Sequence, residues 1–217
     1  MYVHSRAIVL SSIKYRESSI ILKLFTEALG VKSYILHSVR NSGSKSKTSL
    51  FQPLTLLEVV AYEQPGKDLQ RLAEYRLFRP FQTIPYQSRK SAIALFITEV
   101  LTLSLQEAHE EPSFFAWLHH SLQEFDELHT GFENYHLHAL CILAEHLGIG
   151  IGHSGDFETS SDHWEPLTLQ GGWAGLGPTN TLERQLLLQR LLLHFKKHEI
   201  LRYPLRSLQV LKEVFHD

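Results

Sequence analysis

The chain reads as an α+β protein, with a small N-terminal β-barrel followed by an α-helical domain. Three observations predict this. Apolar residues in the first 80 positions come in short, β-branched runs set off by turn residues, whereas beyond position 90 they recur at helical spacing. Charge divides at the same place: residues 1–90 hold 14 Lys and Arg against 6 Asp and Glu, a net of +8, and residues 91–217 hold 7 against 17, a net of −10. Pro80, Pro85 and the polar run Gln87-Ser88-Arg89-Lys90 mark the junction. One domain is therefore expected over 1–80 and a second over 81–217.

The first strand is Arg6-Ala7-Ile8-Val9-Leu10-Ser11-Ser12, and after the polar stretch Lys14 to Ser18 the second runs from Ile20 to Thr26. Thr26 through Gly30 turns the chain into a third strand, Val31 to Leu36, where Lys32 alternates with Val31 and Ser33 and leaves one face wet. Leu54 to Tyr62 follows Pro53 as a fourth strand, Gln64-Pro65-Gly66-Lys67 is a turn, and Leu69 to Pro80 supplies a fifth. Five short antiparallel strands with one long basic connection suit a closed barrel better than a sandwich, because closure removes the exposed edges.

In the second domain Ala92, Phe96, Val100 and Leu103 share one helical face, as do Phe114, Trp117, Leu118, Leu122 and Phe125 after the opening Pro112-Ser113. A third helix is predicted from Tyr135 to Leu147, with Leu137, Leu140, Cys141 and Ala144 inward and a stop at Gly148. Leu182 to Phe195 is apolar almost all round, which predicts a helix central to the bundle. Leu208, Leu211, Val214 and Phe215 form the stripe of a last helix after Pro204. Between the third and fourth helices, residues 148–177 carry 8 of the 12 glycines, and an irregular insert is expected there.

A composition of 43% hydrophobic and 11% aromatic residues suffices for a buried core. The opening Met1-Tyr2-Val3-His4-Ser5-Arg6 lacks the apolar stretch of a secretory signal, and no window approaches ~18 uninterrupted apolar residues. The expected compartment is the cytoplasm, with no membrane partner. Cys141 is the sole cysteine, so no intramolecular disulfide forms, and its setting Leu140-Cys141-Ile142-Leu143 is that of a buried apolar residue.

The basic half carries the chemistry that stands out. Arg40-Asn41-Ser42-Gly43-Ser44-Lys45-Ser46-Lys47 contains no acid and no apolar residue, and Lys14, Arg16 and Lys32 lie in or beside loops that a small barrel can bring to the same face. Converging cations of this kind release the counterions of a polyanion; a merely solvated surface is the other reading that charge alone allows. Tyr15 and Tyr34 offer stacking surfaces for unpaired bases, or ordinary packing. Histidine is abundant, yet His136 and His138 point to different faces of a helix and no His-Glu-x-x-His run exists; His146 and His153, flanking Gly148, Gly150 and Gly152, are the best of a weak set for a metal. No Gly-x-Ser-x-Gly or Gly-x-x-x-x-Gly-Lys-Ser/Thr occurs, and Gly148-Ile149-Gly150-Ile151-Gly152 follows a helix rather than a strand, as helix termination requires. The expectation is a non-catalytic protein without cofactor or metal.

The succession Ala7-Ile8-Val9-Leu10, Tyr15-x-Glu17-Ser18, Leu24-Phe25-Thr26, Gly30, the basic loop and Gln52-Pro53-Leu54 resembles the opening of the bacterial RecO family of recombinational repair proteins. Leu205-Arg206-Ser207-Leu208-Gln209-Val210-Leu211 is similar to the segment that closes many of its members. The resemblance implies an N-terminal OB-fold, a helical domain, and a recombination mediator. Such a mediator binds single- and double-stranded DNA, anneals complementary strands, and with RecR helps load RecA onto strands coated by single-stranded-DNA-binding protein. It implies DNA contacts at Lys14, Arg16, Lys32, Arg40, Lys45 and Lys47. It also implies a site on the helical domain for the acidic, phenylalanine-ended tail of single-stranded-DNA-binding protein, for which Arg184, Arg190, Lys196, Lys197, Arg202 and Arg206 are the candidate cations. Many relatives place four zinc-binding cysteines in the segment corresponding to about 148–177; none stands there in this chain, so a metal-free insert is expected. The reading from another class is a protein-interaction scaffold whose basic barrel binds an acidic protein.

Overall fold

The computed structural model describes residues 1–17, 19–37, 50–105, 112–151 and 180–215. Arg40, Lys45, Lys47 and His153 lie outside them. Five strands, β1 (Tyr2–Tyr15), β2 (Ser19–Thr26), β3 (Gly30–Leu36), β4 (Leu56–Tyr62) and β5 (Leu69–Leu77), precede five helices, α1 (Ser88–Ser104), α2 (Pro112–Glu127), α3 (Tyr135–His146), α4 (Thr181–Lys197) and α5 (Ser207–Phe215). The chain divides into two compact units, residues 1–82 with 105–122 and residues 83–104 with 123–217.

The barrel unit closes in the order β1-β2-β3-β5-β4. β1 is long enough to serve two neighbours: Tyr2–Ile8 pairs with β4 and Ala7–Tyr15 with β2, and the register shifts between Val9 and Ser11, where the strand bends. Closure differs from the all-antiparallel expectation, since β3 and β5 meet in parallel over Ser33–Ile35. An odd number of strands cannot close antiparallel throughout, so five strands require one parallel pair, and the order of the strands places it between β3 and β5. Alternation does the rest. Ala7, Val9, Leu22, Leu24, Tyr34, Leu57, Val59 and Leu72 point inward and fill the barrel. Tyr34 is fully buried, so it is a core residue and not a stacking surface.

Two backbone positions need special conformations. Gly30 takes φ 64 at the end of the β2–β3 turn, where the Thr26 hydroxyl donates to its carbonyl at 2.8 Å. Leu54 is fully buried at φ 63, held by its N–H to the Val9 carbonyl at 2.8 Å and by Val9 N–H to the Thr55 carbonyl at 3.0 Å. The first part of α2 packs on the barrel's outer face near β2, with Phe25 at 6.0 Å from Phe114 and 5.2 Å from Phe115. Arg6 lies over the Phe115 ring at 5.8 Å while pairing with Glu27 at 2.5 Å.

In the helical unit the central helix is α3 rather than the expected α4. α4 buries Leu187, Leu188, Leu191 and Phe195 but exposes Leu182 (67%), Leu186 (48%) and Leu193 (55%), so it presents one face to the core and is not central. The buried leucines follow a helical stripe and the exposed ones lie off it; the richness of the run concealed the stripe. α3 is the helix buried all round, every residue from Tyr135 to Ala144 lying in the core, whereas α1 buries Ala92, Ile93, Ala94, Phe96, Ile97, Val100 and Leu101 but leaves Leu95 (41%) and Leu103 (38%) exposed. At the start of α1, the fully buried Lys90 directs its ammonium to the carbonyls of Phe125 (2.7 Å), Asp126 (2.9 Å) and Leu128 (2.5 Å) and to the Thr83 hydroxyl (2.6 Å). These are the orphan carbonyls of the end of α2. Asp126 in turn accepts from the N–H groups of Thr83 (2.8 Å) and Ile84 (2.9 Å). Burial lowers the pKa of Lys90, and the charge of Asp126 opposes that. At the other end of α1, Glu99 caps α5 by accepting from the N–H groups of Arg206 (3.0 Å) and Ser207 (2.8 Å) and from the Ser207 hydroxyl. Although burial pushes Glu99 upward, these bonds hold its carboxyl below the usual range.

Candidate nucleic-acid interface

The cations predicted to meet on the barrel divide into three groups. Lys14 and Arg16 come together at the β1–β2 turn, both exposed. Arg16 adopts φ 56 there, and its guanidinium lies over the Tyr15 ring at 5.1 Å. Lys32 shares the inward alternation with Tyr34 and Leu36, and its ammonium sits 2.6 Å from Glu63 at the barrel's end. Its side chain is 24% exposed and that of Glu63 12%, so the face expected to stay wet holds an ion pair instead. Glu63 also stands near the Tyr34 hydroxyl, which burial and that charge push well above the ordinary tyrosine range. Arg40, Lys45 and Lys47 belong to the undescribed part of the β3–β4 connection.

Two cations escaped the sequence reading. Lys23 lies on the outer face of β2, opposite Ser11 on β1 and Ser33 on β3, and Arg71 lies exposed on the outer face of β5. The period-2 alternation of each strand was the available signal for both, because each sits between inward residues. Arg6 and Arg76, by contrast, are engaged with Glu27 and Glu58.

In the helical unit, Arg184 is the candidate cation that lines one apolar pocket, which also draws on His136, Leu188, Leu211, Lys212 and Phe215. Arg89 and Arg184 both reach the Phe215 ring, at 5.6 and 5.9 Å, and Arg184 Nε donates to Asn134 Oδ1 at 2.9 Å. Burial lowers the pKa of Arg184, against the charge of Glu133 and with that of Arg89. Burial, then Arg184, carries His136 down to about 3, so its imidazole is neutral. Lys196 and Lys197 are exposed in the last turn of α4, Arg202 faces Glu199 at 3.7 Å, Arg206 is exposed and Arg190 is half-buried. Lys212 in the pocket lining and Arg89 beside Phe215 are the cations that the sequence reading missed. Among the described residues no group of three or more His, Cys, Asp or Glu is placed to hold a metal, and no helix is long and apolar enough to cross a membrane.

The family model for the N-terminal domain of recombination protein O matches residues 1–81, which contain the whole barrel. The DNA repair protein RecO of Flavobacterium psychrophilum is 35% identical over 239 aligned positions, covering 99% of this chain and 100% of that protein. This chain belongs to the RecO family. The barrel is accordingly the RecO OB-fold, followed by helices. Other RecO proteins align over 69% of the chain: that of Bacteroides fragilis is 38% identical over 154 residues, and that of Porphyromonas gingivalis 30% over 151. In these two alignments the chain spans 64% and 62% of the relative's length.

Proposed function

We propose that this chain is a non-catalytic DNA-binding mediator of recombinational repair. The observation that carries the reading is the outward set of cations on an OB-fold. Lys14 at the end of β1 and Arg16 in the turn to β2 are exposed, Lys23 and Arg71 lie on the outer sheet face, and the acid-free segment Arg40 to Lys47 lies between β3 and β4 in the sequence. In OB-folds the outer face of the second and third strands and the adjoining turns hold oligonucleotides. Annealing needs two polyanions held together without base-specific readout, which cations provide and hydrolysis would not assist. Lys32 contributes through its pair with Glu63 rather than as an exposed charge.

The helical unit supplies the partner site. An acidic peptide ending in phenylalanine would place its ring against Leu188, Leu211 and Phe215, and its carboxylates would face Arg184, Arg89 and Lys212. This is the proposed dock for the tail of single-stranded-DNA-binding protein; RecR and RecA loading complete the reading. DNA binding is tested by fluorescence anisotropy of a labelled single strand across salt concentrations. With about five phosphates neutralised, log K falls against log salt at roughly −0.7 per contact. Absence of binding at low salt would replace this reading with the protein scaffold.

A further inference from the structure

An open ring of cross-strand neighbours winds round the outside of the barrel, from one end of β1 to the other. Ile13 pairs with Ile21, Ile21 with Ile35, Ile35 with Arg71, Arg71 with Tyr62, and Tyr62 with Tyr2. All six face outward, because the residues alternating with them, among them Leu22, Tyr34, Leu36, Ala61 and Leu72, fill the core. Tyr2 is 64% exposed and Ile13 61%, Arg71 is exposed, and the other three are half-buried. Exposed apolar side chains on a folded surface are ordinarily scattered singly; Tyr2 and Tyr62, adjoining beside the exposed Arg71, mark a contact surface.

The composition of the ring says what it contacts. Tyr2 and Tyr62 stand with centroids 5.0 Å apart and planes at 52°, and Arg71 is the cross-strand neighbour of Tyr62. Arg71 forms no ion pair among the described residues, and the ring holds no acid. Beside the ring, on the same outer face of β2, lies Lys23. A flat apolar partner that brings negative charge with it matches this surface. The unpaired bases of a single strand are such a partner: each offers a π-face and each carries a phosphate.

We infer that Tyr2, Tyr62 and Arg71 form a stacking platform for unpaired bases. The inference rests on the reading of the barrel as a DNA-binding module and adds base faces to its phosphate contacts. Arg71 stacks on a base or neutralises the adjoining phosphate, and the isoleucine row continues the apolar track toward Lys14. Stacking is tolerant of sequence, since every base has a π-face, but a duplex hides those faces. The platform therefore discriminates single from double strands where cations alone would not.

The test uses the full chain with three labelled probes of about 30 nucleotides per strand: oligothymidylate, an abasic strand of the same length and charge, and a duplex. Tyr62→Ala and Tyr2→Ala are each expected to lower affinity for oligothymidylate roughly tenfold. Abasic and duplex affinities should stay within about twofold and the salt slope should not change, because no phosphate contact is lost. Tyr62→Phe, which keeps the π-face, should bind as the parent does. Equal losses on the thymidylate and abasic strands would overturn the platform, since Tyr62 would then act through the fold. Unchanged oligothymidylate affinity in both alanine variants would overturn it as well, while leaving the barrel's DNA binding intact. A parent protein that binds neither strand at low salt would sink both readings.

Discussion

Individual cations of the two units are held in opposite ways. On the barrel, Lys14, Arg16 and Arg71 are exposed, so their charge acts on whatever approaches. In the helical unit, Lys90 is fully buried against backbone carbonyls and Arg184 is drawn half under Phe215. A count of Lys and Arg measures the potential to bind an anion only where the side chains face out. Where they face in, the same residue types finish helix ends and line pockets.

The largest expected effect separates these roles. Lys90→Met should destabilise the chain by about 3 kcal/mol, because it leaves the carbonyls of Phe125, Asp126 and Leu128 buried without their donor. Urea unfolding would show this as a lower midpoint, and the salt slope of DNA binding should not move. Replacing Arg40, Lys45 and Lys47 together by Ala should do the reverse. Affinity for single strands is expected to fall on the order of 100-fold near 0.1 M salt, with a slope shallower by about two and stability within about 0.5 kcal/mol of the parent. Parental affinity in that variant would erase the comparison.

Arg184 stands between the two classes, being partly buried yet open to a pocket. Arg184→Ala should weaken an acidic, phenylalanine-ended peptide about tenfold, read by peptide anisotropy, without changing DNA affinity. A smaller effect concerns His136. Its native pKa of about 3 lies below the ordinary value of 6.5, so between these values the unfolded chain takes up a proton that the native state refuses. Stability should therefore fall as pH falls through this window, by about 1 kcal/mol between pH 6.5 and 5.5 for one proton. His136→Asn should flatten that part of the profile in urea titrations; an unchanged slope would assign it to other groups.

Much of this arrangement was legible in the chain. Strand alternation and turn residues gave all five strands, and helical spacing gave all five helices, because both periods are local. What was hidden depended on partners distant in sequence. Lys32 and Lys14 look alike until the barrel closes and sets one beside Glu63, and Tyr34 allows both packing and stacking until β2 and β3 pair. Lys90 sits in a run that reads as a solvated junction, yet its carbonyl partners come from 35 residues or more along the chain. The leucines of α4 show the same limit, since composition alone does not say how many neighbours a helix will have. For the site, Arg184 was legible as a rare cation in an acidic domain, whereas Arg89 was counted with the basic front and joins it only in three dimensions.

Cys141 lies 2% exposed within α3, and burial, with the charge of Glu145 adding, raises its thiol pKa to about 12. A thiol in that state hardly reacts with alkylating reagents, because the thiolate is the nucleophile and the reagent cannot reach it. It is also the only cysteine in the chain. Labelling at Cys141 is therefore a clock for opening events in the helical unit, one that runs without any engineered reporter. Slower labelling in the presence of an acidic peptide would time how long the occupied pocket holds that unit shut.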